Sequence, residues 1–434
     1  MSTDVKEQSH FVRTHKRVVV TGMGAVTPLG LNVPDFWNAA INGQSGAAPI
    51  KHFDASAFTT HFACELKGFD AHAHMDKKSV KRTDPFTHYA VAAANEAIND
   101  AGVDSTTLTD AQRARIGVMI GSGQGGMQTF EAQAEALRAG GPSRVSPFLV
   151  PMMIVDSAGA IVAMQHGFRG PNHSVVSACA TGNDNLMSAL DAIRVGRADM
   201  ILAGGAEAVI TPLGVGGFAA ARALSTRNDD PTKASRPFDI DRDGFVIGEG
   251  AAVLVLESLE SAERRGARVY AELVGVGAAC DAYHMTAPHP DGIGAQLAMR
   301  AALDEAGFAT TDVDSINLHA TSTPIGDSAE CGAVRKVFGD HADKISSTST
   351  KSMTGHMLGA AGAAEAVLTV LSVVHGIVPP TINLDAIDPA CALNIVANVA
   401  LKREVNVALS NVFGFGGHNT AAIFATPKFV SARS

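Results

Sequence analysis

One cysteine, Cys179, lies in the segment S-V-V-S-A-C-A-T-G-N-D-N, where its neighbours favour nucleophilic chemistry. The apolar, strand-like residues 174–176 precede a turn of small residues, and a helical pattern then runs from Asn183 to Ile193. The thiol is therefore expected at the start of a helix, where unpaired backbone N–H groups and the helix dipole favour a thiolate. Free cysteines are also often buried structural residues, so this segment alone leaves both interpretations open.

Two further segments each place an imidazole in a turn. In N-L-H-A-T-S-T-P-I-G-D, His319 stands among hydroxyl residues, and in K-S-M-T-G-H-M-L-G-A-A-G, Lys351 and His356 precede a helical pattern that carries Glu365. A histidine by itself is more often a hydrogen-bonded polar residue than a catalyst. A thiol at a helix start together with two imidazoles, however, is typical of a nucleophile with acid–base partners.

A fourth segment, S-N-V-F-G-F-G-G-H-N at residues 410–419, contains a glycine-flanked turn. Such a turn can present a backbone N–H to an oxyanion. The four segments therefore hold a candidate nucleophile, two candidate acid–base groups and a candidate oxyanion donor.

Short β-branched runs alternate with alanine-rich helical stretches, which is typical of an α/β protein. The predicted strands cover residues 17–20, 116–120, 200–203, 251–256, 315–318, 395–397 and 406–410. The predicted helices cover residues 86–101, 129–138, 183–195, 258–264, 295–306, 328–338 and 362–375. Both halves combine a strand, a glycine-rich turn and a long helix, which hints at a duplicated architecture. Residues 1–16 are expected to form a flexible tail.

Composition limits the class of protein. A chain of 434 residues is too long for one core, so we expect two domains. Five cysteines spread over the chain do not resemble a disulfide framework and favour a cytoplasmic location. The polar N-terminus argues against a secretory signal, and no uncharged apolar run is long enough to predict a membrane span. A net charge of −9 argues against a general nucleic-acid binder.

Two motifs resemble ligand-binding sites but lack a residue that such a site needs. The loop 121–126 matches G-x-G-x-x-G, yet no acidic residue closes a second strand where a dinucleotide site requires one. A run of aspartates from Asp239 begins like an EF-hand loop, but its twelfth position is Gly250. We therefore interpret these carboxylates as ion-pair partners of Arg236 and Arg242.

The segments described above resemble the β-ketoacyl-acyl-carrier-protein synthases of the thiolase superfamily, and most closely the elongating type I/II enzymes. Besides the cysteine segment, the matching motifs are H-x-T-S-T-P-x-G-D, K-S-x-x-G-H-x-x-G-A-A-G, G-F-G-G and D-A-Y-H-M-T. The resemblance implies a thiolase-like α/β fold in which two similar α/β halves, residues 17–268 and 269–428, form a layered α-β-α-β-α sandwich. It also implies a homodimer.

In such an enzyme, Cys179 would accept an acyl group as a thioester from acyl carrier protein. His319 and His356 would bind the malonyl thioester and stabilise the enolate formed by its decarboxylation. That carbanion would attack the acyl thioester on Cys179 and release a β-ketoacyl product. The backbone N–H groups of Cys179 and Phe415 would form the oxyanion hole, and Phe415 would gate the acyl site.

The resemblance assigns supporting roles to several other residues. Lys351 and Glu365 would order the histidine region rather than exchange protons with the substrate. The residues implied to line the substrate tunnel are Thr286, Thr321, Thr323, Phe413 and, beside the acyl tail, Gln124. Because acyl carrier protein is acidic, a chain of net charge −9 should meet it through a local basic patch. The candidate docking residues are Lys77, Lys78, Lys81, Arg82 and Arg222.

No redox or organic cofactor is implied, because the substrates are carried on the 4'-phosphopantetheine of acyl carrier protein. Some relatives hold a structural monovalent cation. Its ligands in this chain would be Asn317, Glu365, Ser410 and Asn411.

Four other classes share part of this pattern. A Cys–His hydrolase needs no second histidine, a chain-length-factor-like subunit lacks the nucleophile, and a starter-condensing synthase would resemble Cys–His–Asn. Cys179 and His356 argue against these three. A discrete polyketide-type ketosynthase shares every catalytic residue and stays open, as do acyl chain length and branching.

Overall fold

The computed structural model describes residues 15–433, so most of the predicted tail, residues 1–14, lies outside the described residues. The strands are β1 (Val18–Val26), β2 (Ala48–Pro49), β3 (Phe62–Ala63), β4 (Ile116–Gly121), β5 (Met200–Glu207), β6 (Gly250–Ser258), β7 (Ala271–Cys280), β8 (Ser315–Asn317), β9 (Ser346–Thr348), β10 (Ile377–Val378), β11 (Leu401–Lys402), β12 (Val407–Gly414) and β13 (His418–Ala425). The α-helices are α1 (Val33–Ile41), α2 (Lys77–Val80), α3 (Pro85–Asp100), α4 (Asp110–Arg113), α5 (Met127–Gly140), α6 (Leu149–Met153), α7 (Ser157–His166), α8 (Thr181–Arg194), α9 (Pro212–Ala220), α10 (Leu259–Arg264), α11 (Ile293–Ala306), α12 (Pro324–Phe338), α13 (Lys351–Thr354), α14 (Ala361–His375) and α15 (Pro427–Ser431).

The main sheet repeats one strand order in its two halves. Within residues 15–433 its order is β4-β5-β6-β1-β7-β13-β12-β8-β9. In the first half β4 and β5 are parallel and β6 and β1 antiparallel, and β8, β12, β13 and β7 repeat this pattern in the second. A short pairing between β1 and β7 joins the halves. The duplicated architecture is therefore present in the topology, while a division into domains at residues 268 and 269 stays a prediction.

Helices lie on both outer faces and between the half-sheets. On one side α3 packs against β1 and β6, and on the other α11 packs against β7 and β13. Between them, α8 and α14 pack against each other, with α8 on β5 and α14 on β12. Separate clusters of buried apolar side chains fill these interfaces. The arrangement is the predicted α-β-α-β-α sandwich.

Helix α14 is unusually apolar because it lies in the middle layer, between the two half-sheets. By length and composition the stretch Leu358–His375 could cross a membrane, but 89% of it is buried inside the protein. A helix between two sheets has no solvent-exposed face, so it is apolar all round.

Two predicted strands need correction. The sequence predicts that the first strand ends at residue 20 before a glycine turn, whereas β1 continues to Val26. Its glycines allow close contact with α3, since a Cβ on Gly24 would lie 1.9 Å from the carbonyl oxygen of Ala93. The predicted strand at residues 395–397 is wrong, because these residues form isolated bridges instead.

Candidate active site

Two strained turns carry the candidate nucleophile and one histidine. Cys179 lies in the 3₁₀ turn Ala178–Ala180 that leads into α8, and Ala178 has a φ of +53°. His356 precedes the turn Leu358–Ala360 that leads into α14, and Leu358 has a φ of +49°. Left-handed backbone at a residue other than glycine costs free energy and concentrates at functional sites. The two turns are in contact, so the packing of α8 against α14 brings their side chains together.

The structure brings Cys179, His319 and His356 together. Nε2 of His356 lies 3.0 Å from Sγ of Cys179. The ring centroids of His319 and His356 are 5.2 Å apart with the planes at 85°. Phe245 packs edge-on against His356 at 5.3 Å, and Phe413 packs against His319 at 5.6 Å. Aromatic packing therefore restricts the orientation of both imidazoles, and His356 faces the thiol.

The Cys179 thiol is only 8% exposed. Burial raises its pKa to about 12, although the Lys351 ammonium and hydrogen bonds from the backbone N–H groups of Phe415 and Cys179 act in the opposite direction. The sequence-based expectation of a thiolate is therefore wrong for the resting protein, because lost solvation outweighs the helix start. Deprotonation must accompany attack on a substrate.

Both histidines are held in the neutral form. Burial, together with the Lys351 charge, lowers the pKa of His319 and of His356 well below the ordinary histidine value. Both rings are thus neutral at pH 7, and a neutral imidazole has one nitrogen that accepts and one that donates. His356 is the group placed to accept the proton of Cys179.

Lys351 and Glu365 lie behind the histidines. Lys351 is 1% exposed and forms a buried ion pair with Glu365. Burial raises the pKa of Glu365 to about 7, and the Lys351 charge opposes this rise. Neither residue lines the cavity in front of Cys179. Their position fits a role in ordering the site rather than contact with a substrate.

A cavity of about 360 Å³ opens onto Cys179 and both histidines. The other predicted substrate residues in its lining are Thr286, Thr321, Thr323, Phe413 and Phe415, and Arg222 lines it as well. Oγ1 of Thr321 and Oγ1 of Thr323 lie 3.2 Å apart along one wall. Phe415 is 37% exposed, and its ring centroid lies 6.4 Å from that of Phe218. The cavity is mainly apolar with a few hydroxyl groups, as expected for a site that takes a long flexible substrate.

The G-F-G-G turn fits against Cys179 because residue 414 has no side chain. A Cβ on Gly414 would lie 2.7 Å from the carbonyl oxygen of Ser177 and 3.1 Å from the nitrogen of Cys179. This close approach brings the Phe415 backbone N–H to the sulfur. Two N–H donors converging at a nucleophile are the arrangement that stabilises an oxyanion.

Several predicted residues lie outside this cavity. The Gln124 side chain is exposed, and its backbone N–H donates to Oε1 of Glu207 at 3.2 Å. Of the first basic cluster, Lys77, Lys78, Lys81 and Arg82 are all exposed. The Arg82 guanidinium lies 4.3 Å above the ring of Phe148. Only Arg222 among the docking candidates reaches the cavity wall.

Glu330 was missed by the sequence analysis. Its carboxylate accepts the backbone N–H groups of His319 at 2.9 Å and Ala320 at 2.7 Å. Burial raises the pKa of Glu330 to about 7. The available signal was weak: a lone carboxylate among small residues, in a helix that begins soon after the histidine motif. Such a residue normally points to solvent.

The predicted cation site can be tested by whether its ligand oxygens lack hydrogen-bond partners. Oδ1 of Asn317, Oε2 of Glu365, Oγ of Ser410 and Oδ1 of Asn411 are buried without a hydrogen-bond partner. Asn317 and Ser410 are paired residues on the parallel strands β8 and β12. Buried oxygens without partners are costly, and oxygen donors that include one carboxylate suit a hard cation. The residues therefore fit the predicted site.

Comparison with known proteins agrees with this geometry. The family model described as "Beta-ketoacyl synthase, N-terminal domain" matches residues 15–262, and "Beta-ketoacyl synthase, C-terminal domain" matches residues 270–385. The chain therefore belongs to the beta-ketoacyl synthase family. The 3-oxoacyl-[acyl-carrier-protein] synthase 2 of Synechocystis sp. is 50% identical over 409 residues, which cover 94% of this chain and 98% of the relative. That of Coxiella burnetii is 48% identical over 410 residues, with the same coverage.

Solved structures share the whole fold. A beta-ketoacyl synthase from Burkholderia phymatum has a TM-score of 0.89 at 36% identity, covering 95% of this chain and 99% of the other. The ishigamide ketosynthase/chain length factor has a TM-score of 0.88 at 36% identity, with the same coverage. A ketosynthase solved with a type II PKS acyl-carrier protein has a TM-score of 0.87 at 33% identity, again with that coverage. The predicted family and the thiolase-like fold class are confirmed.

Proposed function

We propose that this chain is a 3-oxoacyl-[acyl-carrier-protein] synthase that elongates fatty acids. It condenses malonyl-acyl carrier protein with an acyl group held on Cys179, and loss of carbon dioxide drives the reaction. The observation that carries this proposal is the 3.0 Å contact between Sγ of Cys179 and Nε2 of His356, with His319 lining the same cavity. The relatives of 48–50% identity that bear this name support it.

In the first half-reaction the sulfur of Cys179 attacks the thioester carbonyl of the acyl carrier, and its proton passes to Nε2 of His356. The carbonyl oxygen becomes an oxyanion that accepts the backbone N–H groups of Cys179 and Phe415. Collapse of this intermediate expels the pantetheine thiolate, which takes the proton from His356. The acyl group remains on Cys179 as a thioester.

In the second half-reaction the malonyl thioester loses carbon dioxide as its C–C bond to the carboxylate breaks. The electron pair forms an enolate, whose oxygen accepts an N–H from His319 and, once His356 is in the tautomer with its hydrogen on Nε2, one from His356. The α-carbon then attacks the acyl thioester, and the Cys179 thiolate leaves and takes up a proton from solvent. No electrons are transferred to or from the substrates, so the chemistry calls for no redox cofactor.

A discrete polyketide-type ketosynthase is the second candidate. Solved ketosynthases of polyketide systems share the fold, at 33–36% identity. The 48–50% identity to fatty-acid-type relatives favours elongation of fatty acids. The two candidates differ in the acyl group that they accept: saturated chains for fatty acid elongation, and β-keto chains for polyketide synthesis.

Acyl carrier protein is the proposed partner, with the 4'-phosphopantetheine arm entering along Thr321 and Thr323. A solved relative was crystallised with such a carrier. Arg222, exposed at the cavity wall, is the docking residue nearest the entrance, and the exposed cluster from Lys77 to Arg82 would extend the contact. An acidic carrier would be steered to these cations despite the net charge of −9.

We propose a homodimer on the evidence of an exposed sheet edge. Strand β4 is an edge strand of the sheet. Residues 172–176 lie beside it, and Asn172 forms a single β-bridge with Val118. The outer side of such an edge is a template for pairing with another chain. Nearby helices α5, α6 and α7 carry the exposed apolar side chains Phe130, Val150 and Met164, and Ile154, which follows α6, is exposed as well. Light scattering should give twice the mass of one chain, and a monomer would contradict the proposal.

The cation site is proposed at Asn317, Glu365, Ser410 and Asn411. A bound cation would supply charge neutralisation behind the histidines and would hold the ends of β8 and β12 to α14. Dialysis against a chelator-treated, alkali-free buffer should lower the thermal midpoint of unfolding, and added potassium or sodium should restore it. An unchanged midpoint in both buffers would contradict the site.

A cytoplasmic location is proposed from the cysteines. Within residues 15–433, Cys64, Cys179, Cys280, Cys331 and Cys391 are all free thiols, as expected in a reducing compartment. Cell fractionation with a C-terminal epitope tests this location.

The function itself is tested with purified protein, malonyl-acyl carrier protein and a series of acyl carriers. Mass spectrometry should show saturated acyl chains lengthened by two carbons as 3-oxoacyl products. Preferential use of acetoacetyl and longer β-keto acyl carriers would favour the polyketide alternative.

A further inference from the structure

Glu207, the last residue of β5, is a buried carboxylate that the proposed mechanism does not use. Its exposure is 0%. Oε1 accepts the hydroxyl of Ser122 at 2.6 Å and the backbone N–H of Gln124 at 3.2 Å. Oε2 accepts the backbone N–H groups of Gly123 and Gly359, both at 2.9 Å. Four donors from two distant segments therefore converge on one side chain.

The hydrogen bonds around Glu207 favour its ionised form. Three of its four partners are backbone N–H groups, which can only donate. A protonated carboxyl would have to donate its own O–H to the Ser122 hydroxyl, the one partner that can also accept. Burial raises the pKa of Glu207, and the hydrogen bonds from Ser122 and the backbone lower it. Donors, rather than a neighbouring cation, hold this buried anion.

The carboxylate lies where three active-site segments meet. A Cβ on Gly123 would lie 2.8 Å from Oε2 of Glu207 and 3.3 Å from the carbonyl oxygen of Ala178, which precedes Cys179. A Cβ on Gly359 would lie 2.7 Å from the same Oε2 and 2.4 Å from the nitrogen of Gly123. The loop 121–126, the cysteine turn and the turn after His356 are thus packed backbone to backbone around Glu207.

We propose that Glu207 is a positioning residue: its carboxylate holds the loop 121–126 against the turns that carry Cys179 and His356, and so sets the separation of thiol and imidazole. The role in condensation rests on the proposed function, whereas the effect on the thiol does not. Apart from Glu207, His356 contacts the thiol and the Lys351 charge acts on it, and the other titratable groups that line the same cavity are Arg222, Asp243, Asp281, His319 and Glu330. Among these groups, Glu207 is the carboxylate whose charge acts to raise the pKa of Cys179.

The first test replaces Glu207 by Gln, which keeps the size of the side chain but removes its charge and two of its acceptor positions. Condensation should fall by about 10- to 100-fold, the cost of a small misplacement of reacting groups. Alkylation of Cys179 by iodoacetamide should shift to lower pH, because the thiolate loses a repulsive neighbour. An unchanged pH dependence of Cys179 alkylation would overturn the proposal, whether turnover is lost or retained.

Glu96→Gln is the matched control. The Glu96 carboxylate accepts the backbone N–H groups of Ala25 at 2.9 Å and Val33 at 2.7 Å, but it lies on α3 outside the cavity lining. Glu96→Gln should leave the pH dependence of Cys179 alkylation unchanged. If Glu207→Gln does not fold, Ser122→Ala removes one donor to the same carboxylate and should reduce turnover in the same direction. Alkylation needs no acyl carrier, so a chain that fails to condense any substrate would refute the proposed function but not this inference.

Discussion

Sγ of Cys179 and Nε2 of His356 lie 3.0 Å apart, although 177 residues separate them in the chain. In the first half, Cys179 lies between the segment beside the edge strand β4 and helix α8. In the second half, His356 lies between the edge strand β9 and helix α14. Each residue is next to a turn with one left-handed residue. The two helices, α8 and α14, pack against each other in the middle layer. The catalytic contact is therefore a product of the duplicated topology, and neither half contains the site alone.

The two half-reactions should separate by mutation. Cys179→Ala should abolish acyl transfer and condensation, because no other group can carry the acyl chain. Cys179→Gln should leave or raise malonyl decarboxylation, because both histidines remain. Release of carbon dioxide from malonyl-acyl carrier protein measures this directly. Condensation by Cys179→Ala would show that the nucleophile is elsewhere.

Replacing either histidine should have the opposite effect on malonyl decarboxylation. His319→Ala or His356→Ala should suppress decarboxylation by on the order of 10²-fold, the usual cost of a lost oxyanion donor. The matched comparison is Cys179→Gln with each histidine change added. Decarboxylation that survives the loss of both imidazoles would contradict their role at the enolate.

The pH dependence of Cys179 alkylation distinguishes a thiol from a thiolate. Because burial raises the pKa of Cys179 to about 12, the thiolate fraction should rise about tenfold for each pH unit below that value. The rate of reaction with iodoacetamide should therefore increase steadily with pH through the neutral and mildly alkaline range. A plateau with a midpoint near neutral pH would show that the helix start outweighs burial after all.

Charge reversal tests the docking surface. Replacing Lys81 and Arg82 by Glu should raise the apparent KM for acyl carriers roughly fivefold or more, since each exposed ion pair contributes about 0.2–1 kcal/mol and reversal adds repulsion. The KM for an acyl-pantetheine thioester should not change. The double change Lys402→Glu/Lys428→Glu, at two exposed residues outside the cavity lining, alters the net charge by the same amount and is the control. Equal effects on both substrates would refute docking at this surface.

Gln124 tests how far the acyl pocket extends. Its side chain is exposed in the single chain, so a polar amide there carries no desolvation cost. Gln124→Ile should alter long-chain turnover only modestly, whereas Gln124→Phe should reduce it and spare short chains if the acyl pocket extends beyond the cavity of the single chain to residue 124. Turnover of acyl carriers of increasing length gives the profile. A profile unchanged by Gln124→Phe would show that residue 124 does not line the acyl pocket.

The buried pair of Lys351 and Glu365 should show strong coupling. Lys351→Met leaves the Glu365 carboxylate buried and unpaired, which costs about 3–5 kcal/mol. The double variant Lys351→Met/Glu365→Met removes both charges and should lose less stability. Urea unfolding measures both. A double variant no more stable than the single one would mean that the two charges do not compensate each other.

The central part of the site was predictable because its residues lie in short contiguous motifs. The turn and helix around Cys179 and the glycine turn at residues 414–417 were both identified from local sequence, whereas the strand-like stretch predicted at residues 174–176 is not a strand in the structure. Residues such as Glu330 and Phe245 were not, because their roles arise only when distant elements pack. Glu330, on α12, accepts the backbone N–H of His319, which follows β8, and no local pattern encodes that contact.

The fold was predicted least well where glycines interrupt strands. β7 contains Gly275 and Gly277, which lower the β-propensity of the segment, and the sequence analysis did not predict this strand. The glycines are needed because α11 lies so close: a Cβ on Gly277 would be 2.1 Å from the carbonyl oxygen of Ala298. Local propensity therefore did not indicate the strand that tertiary packing requires here.

The most direct test of the proposed function is intact-protein mass spectrometry of the enzyme mixed with an acyl carrier and then with malonyl carrier. The first addition should increase the mass of the chain by one acyl group located on Cys179. The second should discharge that group and yield a 3-oxoacyl carrier two carbons longer, with one carbon dioxide released. A product formed without an acyl adduct on Cys179, or an adduct that malonyl carrier cannot discharge, would contradict the proposed mechanism.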